Sequence, residues 1–287
     1  MQFLQFHRSN IYFQGSIIRF INWCVIDFKK IHTRSNFSVS AMVSEEAIRT
    51  TLGVAGNITA VTLFLSTVPT FFRIWKKGSV EQYSPIPYLA SFFNCGLWVL
   101  YGMPFVHPHS LLVVTTNGAG VAIELIYLVI FLMFSDTRKR LRVALVMLVE
   151  ILVSGGLVLV VLTLVHTTQK RSAIVGSISV AANILMYASP LSVMKLVITT
   201  KSVEYMPFLL SLFCFSNGLC WFLYALFPFD PFIAVPNGIG ALLGILQLIL
   251  YATFYKPTKQ ILEARKEKAE MGLAVMEKGN VAQLSHP

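Results

Sequence analysis

Two asparagines have the chemistry and the setting of a small-molecule binding site. Asn117 and Asn237 each stand well inside an apolar run, and a glycine follows each of them. Because a carboxamide both donates and accepts hydrogen bonds, a pair can hold a molecule that carries several hydroxyl groups. The alternative for either residue alone is adhesion between packed membrane helices, where asparagine is also common. Their equivalent settings favour a binding site.

Two tryptophans can supply aromatic surface for the same ligand. Trp98 and Trp221 hold matching positions in two apolar runs. An indole face packs against the apolar C–H face of a ring-shaped polyol while amides bind its hydroxyl groups. The alternative is a place in the aromatic belt at the membrane–water interface. Both roles fit the sequence.

Three further polar residues are candidates for a gate at one end of such a site. Tyr101 and Tyr224 follow the two tryptophans at equal spacing, close to the ends of their runs. Asp230 lies in the last connecting segment, where its carboxylate can accept a hydrogen bond from a tyrosine hydroxyl. The alternatives are interfacial tyrosines and a solvated turn residue.

Four prolines are candidates for hinges. Pro69 and Pro190 lie inside apolar runs, whereas Pro87 and Pro207 stand at the starts of others. Proline removes an internal hydrogen bond and weakens the helix locally, so it can permit a rocking motion. For Pro87 and Pro207 alone, an ordinary proline at a helix start is the simpler interpretation. The symmetric set favours hinges.

These candidates recur because the sequence contains an internal repeat. The segment Ser-Val-Glu at residues 79–81 returns at residues 202–204, and Asn-Gly at 117–118 returns at 237–238. Three positions return in the same register, Asn94, Trp98 and Tyr101 as Asn217, Trp221 and Tyr224. The repetition predicts one structural unit that occurs twice.

Seven apolar runs must position these residues, each near the roughly 20 residues that a helix needs to cross a bilayer. With 55% hydrophobic residues and a mean hydropathy of +0.69, the chain is far more apolar than a soluble domain. The runs are continuous rather than alternating, so we predict membrane helices and an all-α fold. The predicted spans are residues 50–72, 86–106, 110–134, 143–165, 172–194, 207–227 and 231–255.

The repeat and the odd number of helices in each unit predict the architecture. Two three-helix units joined directly, residues 42–134 and 171–255, would point in opposite directions. Span four, within residues 135–170, reverses the chain, so the two bundles lie parallel in a 3+1+3 arrangement. We predict that residues 1–41 form a disordered extension. The tail, residues 256–287, is predicted to be helical only to about Glu270 and disordered beyond it.

The net charge of +10 does not indicate a nucleic-acid partner, because the basic residues flank the apolar runs. They concentrate after spans one, three, five and seven. Short cytosolic loops collect lysine and arginine, so the carboxyl terminus is predicted to be cytosolic and the amino terminus extracellular.

Enzymatic function finds no support in the residue pattern. The sequence contains no serine–histidine pair, metal-ligand cluster or phosphate-binding loop, and His107 and His109 are a weak metal signal. The cysteines show no pairing framework. We therefore predict no enzyme activity, no metal site and no cofactor.

Several runs are similar to those of the plant SWEET sugar transporters, over about Val43 to Tyr255. The similarity is greatest to the hexose-preferring clade of the plasma membrane. The runs that carry it include Val-Pro-Thr-Phe at 68–71, Gly-Ser-Val-Glu-Gln-Tyr at 78–83, Met-Tyr-Ala-Ser-Pro-Leu at 186–191, Lys-Ser-Val-Glu-Tyr-Met-Pro-Phe at 201–208 and Val-Pro-Asn-Gly at 235–238.

The resemblance implies a bidirectional uniporter that moves hexoses, chiefly glucose, across the plasma membrane by alternating access. Tyr101 and Asp230 would form the outer gate, and the four prolines would act as cytosolic hinges. The implied partners are the sugar and membrane lipid, and a homo-oligomer is one of the states left open. The residues implied to line the sugar site are Asn117, Asn237, Trp221 and Trp98.

Ion coupling is not predicted, because the carboxylates within the spans, Glu124 and Glu150, have no evident cationic partner in the sequence. Sucrose or another small solute is the nearest alternative cargo. A seven-helix receptor is the alternative from a different class, and it leaves the repeat unexplained.

Overall fold

The computed structural model describes residues 39–284, which form nine helices joined by short turns. In chain order they are α1 (Val39–Leu65), α2 (Val68–Lys77), α3 (Ile86–Gly102), α4 (Leu111–Phe134), α5 (Thr137–Leu164), α6 (Thr168–Met186), α7 (Ala188–Thr200), α8 (Phe208–Tyr224) and α9 (Pro231–Leu284). The predicted extension, residues 1–41, lies outside the described residues except for 39–41, which begin α1.

Spans one and five each consist of two helices because the chain breaks next to a proline. Span one is α1 followed by α2, and Pro69 is the second residue of α2. Span five is α6 followed by α7, and Pro190 is the third residue of α7. Proline cannot donate the backbone hydrogen bond that a continuous helix requires, so each break falls one turn or less before it.

The other spans are single helices: α3 is span two, α4 span three, α5 span four, α8 span six and α9 span seven. Five of the seven spans are long and apolar enough to cross a membrane by themselves, whereas α3 and α8 have only 17 residues each. Span two is shorter than predicted because α3 ends at Gly102, just before Pro104. The all-α prediction of seven membrane helices is confirmed.

Span packing follows the repeat. Within each repeat the third span contacts the first two, so α4 packs on α1 and α3, and α9 packs on α6 and α8. Between the repeats, α1 packs on α8 and α3 packs on α6. The first helix of each unit thus contacts the second helix of the other, which is the arrangement expected of two parallel bundles around a pseudo-twofold axis.

Span four stands apart from this core. Its apolar window is 6% buried, compared with 28% for span three, so most of its side chains face outward where lipid would lie. The two ends of the bundle also differ. We call the end with Tyr101 and Tyr224 the tyrosine end, and the end with Lys77, Lys139 and Lys201 the basic end.

The last helix extends further than the sequence predicts. α9 continues to Leu284, past Glu270, where we expected the helix to end. Residues 271–284 include two methionines, two alanines and two leucines, which are good helix formers. Nearer the membrane, α9 is fastened to the loop between α7 and α8, because Val203 N–H donates to Thr258 Oγ1 at 2.8 Å and Arg265 pairs with Glu204 at 2.8 Å.

Candidate functional site

A cavity of about 350 Å³ lies between the two repeats. Its volume falls at the lower end of the roughly 300–1,000 Å³ typical of small-molecule sites. Spans one, two, three, five, six and seven all contribute side chains to it. The cavity brings together all four residues predicted to bind ligand, namely Asn117, Asn237, Trp98 and Trp221.

The two asparagines have the same local geometry. Asn117 Nδ2 donates to the Val113 carbonyl at 2.9 Å, and Asn237 Nδ2 donates to the Ile233 carbonyl at 2.8 Å. Each amide is held against its own helix by this bond. One N–H and the carbonyl oxygen of each amide are left for another partner. The cavity therefore has two fixed groups that both donate and accept hydrogen bonds, related by the repeat.

The two tryptophans are held between the cavity and the tyrosines. Each is 6% exposed, and the rings of Trp98 and Tyr101 meet edge to face with centroids 5.4 Å apart. Trp221 and Tyr224 repeat this arrangement at 5.1 Å. Such T-shaped pairs are a favoured aromatic geometry. Burial in the protein interior argues against the interfacial belt and for a rigid aromatic wall above the asparagines.

Tyr101 and Asp230 meet at the tyrosine end. The Tyr101 hydroxyl lies 2.9 and 2.8 Å from the two carboxylate oxygens of Asp230, and both residues are buried. Asp230 Oδ1 also accepts from the N–H groups of Phe232 and Ile233, at 2.9 and 3.3 Å, so it caps span seven. The burial of Asp230 excludes the solvated-turn alternative. The contact joins one repeat to the other, one helical turn beyond Trp98.

His107 belongs to the same cluster. Ser172 donates its hydroxyl hydrogen to the Val106 carbonyl at 2.6 Å, so His107 Nδ1, 3.0 Å from Ser172 Oγ, must be the donor to that oxygen. His107 Nε2 then faces Asp230 Oδ2 at 3.4 Å. Burial lowers the pKa of His107; Asp230 opposes this change, and the charges of Arg49 and His109 add to it.

The structure also brings residues to the cavity that sequence reasoning missed. Asn94 Nδ2 donates to Asn183 Oδ1 at 3.2 Å, and Thr59 donates to Asn217 Oδ1 at 3.1 Å. Asn94 and Asn217 were visible as members of the repeat, but nothing in the sequence distinguished Asn183. Tyr187, at the break in span five, lines the cavity and donates to the Pro236 carbonyl.

The four predicted hinge prolines separate into two kinds. Pro190 lines the cavity directly, and Pro69 lies beside the break in span one. Pro87 is the second residue of α3, and Pro207 directly precedes α8, so both occupy ordinary helix-start positions. A hinge function stays a prediction for all four.

The Trp221 indole packs where a side chain at Gly56 would lie, and this close contact gives a testable prediction. A Cβ atom at Gly56 would lie 2.8 Å from Cε2 and Nε1 of the Trp221 indole. We expect Gly56→Ala to lower the free energy of unfolding by about 1–3 kcal/mol, because the indole must move in a packed interior. Gly96→Ala in span two is the control, since its Cβ would meet no atom within 4 Å. Equal thermal unfolding midpoints for the two variants in detergent would contradict the proposed packing.

Comparison with protein-family models gives one match that occurs twice in the chain. The family described as "Sugar efflux transporter for intercellular exchange" matches residues 50–139 and again residues 173–259. The two matched stretches correspond to the two three-helix units, with span four between them.

Individual plant proteins are similar to this chain over most of their length. "Bidirectional sugar transporter SWEET4" of Oryza sativa subsp. indica is 58% identical over 227 residues, which cover 79% of this chain and 88% of the relative. "Bidirectional sugar transporter SWEET7" of Arabidopsis thaliana is 54% identical over 222 residues, which cover 77% of this chain and 86% of the relative. The solved structure of a eukaryotic SWEET transporter aligns with a TM-score of 0.72 and 39% identity, over 74% of this chain and 99% of that one.

Proposed function

The chain belongs to the MtN3/SWEET family of sugar transporters and is a multi-pass membrane protein, and from this premise we propose that it is a bidirectional, ion-independent hexose facilitator. The cargo we propose is chiefly glucose, and the mechanism is alternating access. The observation that carries the proposal is the cavity with one asparagine and one tryptophan from each repeat at equivalent positions.

The proposed binding mode follows from the chemistry of this cavity. The free N–H and carbonyl groups of Asn117 and Asn237 hydrogen-bond to the hydroxyl groups of the sugar. The indoles of Trp98 and Trp221 pack against its C–H face. A cavity of about 350 Å³ is large enough to hold a hexose ring between these groups.

The proposed movement uses the contacts that join the repeats. Closure at the tyrosine end comes from Tyr101 and Asp230, so opening there requires that this hydrogen bond break. The breaks beside Pro69 and Pro190 lie on the other side of the asparagines, where the half-spans α2 and α7 can change their angle to α1 and α6. Alternation between the two closures exposes the sugar to one side at a time.

Ion independence is supported by where the carboxylates lie. Glu124 and Glu150 are inside spans three and four, and neither is among the residues that line the cavity. Within residues 39–284, the ion pairs found do not include either of them. A coupling ion usually binds beside the substrate, at the midplane of the repeats.

The proposed membrane orientation places the tyrosine end outside the cell and the basic end, with the carboxyl terminus, in the cytosol. Lys77, Lys139 and Lys201 lie at the basic end, as expected of short cytosolic loops. We propose the plasma membrane as the location.

Uptake in transport-deficient cells tests the proposed cargo. Cells that express the chain are expected to take up labelled glucose saturably, and unlabelled glucose is expected to compete at least tenfold better than sucrose, since the paired asparagines and tryptophans of the proposed site suit the hydroxyl groups and C–H face of a single ring. If the chain is present at the surface and transports sucrose at the same rate as glucose, the hexose assignment is overturned. Surface expression is measured by biotinylation in the same cells.

A further inference from the structure

The two repeats hold equivalent tyrosines at the tyrosine end by different chemistry. Tyr101 is bonded to Asp230, which stands seven residues before Asn237. Seven residues before Asn117, the equivalent position is Ser110, a buried residue whose hydroxyl has no hydrogen-bond partner. The pseudo-twofold counterpart of the Tyr101–Asp230 contact therefore has no carboxylate to offer Tyr224.

Tyr224 instead has a cation over its ring. Arg49 Cζ, in span one, lies 4.4 Å from the centroid of the Tyr224 ring. Tyr224 is only 2% exposed and Arg49 is half-buried, so the contact is largely removed from water. The guanidinium group stacks on aromatic faces better than an ammonium group does. The geometry is that of a cation–π interaction, which strengthens when it is desolvated.

Arg49 also lies on the helix face that positions the aromatic wall. One turn further along span one, a Cβ at Gly53 would come within 3.1 Å of the Tyr224 ring. Gly56, the next residue on this face, lies against the indole of Trp221. Because neither glycine has a side chain, both rings rest against the backbone of span one. Arg49 lies over the Tyr224 ring, one turn before Gly53.

The equivalent face of span five has no counterpart of the Arg49 charge. Gly176 corresponds to Gly53, since a Cβ there would lie 2.9 Å from Cε2 of Tyr101. Ser172 precedes Gly176 by the same four residues by which Arg49 precedes Gly53. Ser172 is neutral and binds the Val106 carbonyl at 2.6 Å. The second repeat therefore has the carboxylate of Asp230 and no cation at Ser172. The first repeat has the cation of Arg49 and no carboxylate at Ser110.

We propose that Arg49 is a positioning residue of the gate at the tyrosine end, where it clamps Tyr224 and forms a second latch beside Tyr101–Asp230. The inference rests on the proposed alternating access. Like the first latch, this one joins the two repeats, because Arg49 belongs to the first and Tyr224 to the second. Arg49 is outside the cavity lining, so it acts through Tyr224 and Trp221 rather than on the sugar.

Chemical labelling from the tyrosine side tests the latch without any sugar. Val113 lies in the cavity on the tyrosine side of Asn117 and is 2% exposed, so Val113→Cys reports opening at that end. An impermeant thiol reagent is applied, and the chain without Val113→Cys gives the background rate of the native cysteines. We expect Arg49→Met to raise the labelling rate about 2- to 30-fold, the range expected of a cation–π contact.

Further variants separate the latch from general damage. Arg49→Lys, which keeps the cation, should raise the labelling rate less than Arg49→Met does. Tyr224→Phe, which keeps the ring face and loses only the hydroxyl, should raise it less than Tyr224→Leu does. In a chain that already carries Tyr224→Leu, Arg49→Met should not raise the labelling rate further. Only protein that elutes as a single peak in gel filtration is scored.

Two results would overturn the second latch: equal labelling of Arg49→Met and the parent, or an effect of Arg49→Met that persists when Tyr224 is leucine. Since no sugar is present, a chain that carries no glucose still reports on the latch. Failure of the proposed cargo and failure of this inference are therefore distinguishable.

Discussion

Asn117→Ala and Asn237→Ala will each reduce glucose uptake at subsaturating concentration by about 10- to 100-fold. Each change removes one donor and one acceptor from the cavity, and a hydroxyl group left without a partner in a buried site costs about 1–3 kcal/mol. Because the two amides have equivalent geometry, the two variants should be impaired to a similar extent. Initial rates in cells, normalised to the amount of protein at the surface, measure the effect.

Asn57→Ala is the matched control for loss of an amide. Asn57 is half-buried in span one and donates to the carbonyls of Gly53 and Leu112, at 2.9 and 3.2 Å, without being part of the cavity lining. It joins two helices, so its loss should lower stability but leave the KM of the surviving protein unchanged. A normal KM in both Asn117→Ala and Asn237→Ala would show that these residues, too, only join helices.

Asp230→Ala is expected to reduce transport at least tenfold and to leave the tyrosine end open. The carboxylate accepts the Tyr101 hydroxyl and two backbone N–H groups, so the change removes both the latch and the cap of span seven. Loss of a hydrogen bond to a charged group costs about 1.5–3 kcal/mol, and loss of a cap costs about 0.5–2 kcal/mol. Uptake and labelling of Val113→Cys from the tyrosine side are measured together.

Two controls divide the effect of Asp230→Ala into its parts. Tyr101→Phe removes the hydroxyl of the latch and leaves the cap intact, so it should open the gate with a smaller loss of stability than Asp230→Ala causes. Asp136→Ala removes a cap and an exposed ion pair, since Asp136 accepts from Lys139 N–H at 2.9 Å at the start of span four and its carboxylate lies 3.7 Å from Lys139 Nζ. Normal transport by Asp230→Ala, or equal impairment by Asp136→Ala, would rule out a gate at Asp230.

The repeat explains which parts of the site could be predicted from the sequence. Asn117, Trp98 and Tyr101 each have a counterpart one repeat later, and the equivalence marks them without knowledge of any contact. Asn183 has Ala60 at its equivalent position, 123 residues earlier, so the repeat does not mark it. Its role depends on the rotation of span five against span two, which brings it to Asn94. Sequence patterns do not specify that rotation.

The gate shows the same limit. The sequence suggests that Tyr101 and Asp230 meet, because an acid and a hydroxyl near the same ends of their spans can pair. It offers no such cue for Arg49 or His107, which approach the tyrosines only because span one packs on span six and the loop after α3 reaches Ser172. The sequence also underestimated α9, because its predicted end near Glu270 followed the loss of the apolar pattern, whereas the helix continues to Leu284.

Glucose exchange by the purified chain in sealed lipid vesicles tests the central claim most directly. Vesicles loaded with unlabelled glucose are diluted into labelled glucose with no ion gradient, and the label that accumulates by counterflow is recorded. We expect saturable counterflow that is unchanged by an imposed pH gradient or by a proton ionophore, and that is lost in Asn117→Ala. Accumulation only when a proton gradient is imposed, or no exchange of glucose at all, would contradict an ion-independent hexose facilitator.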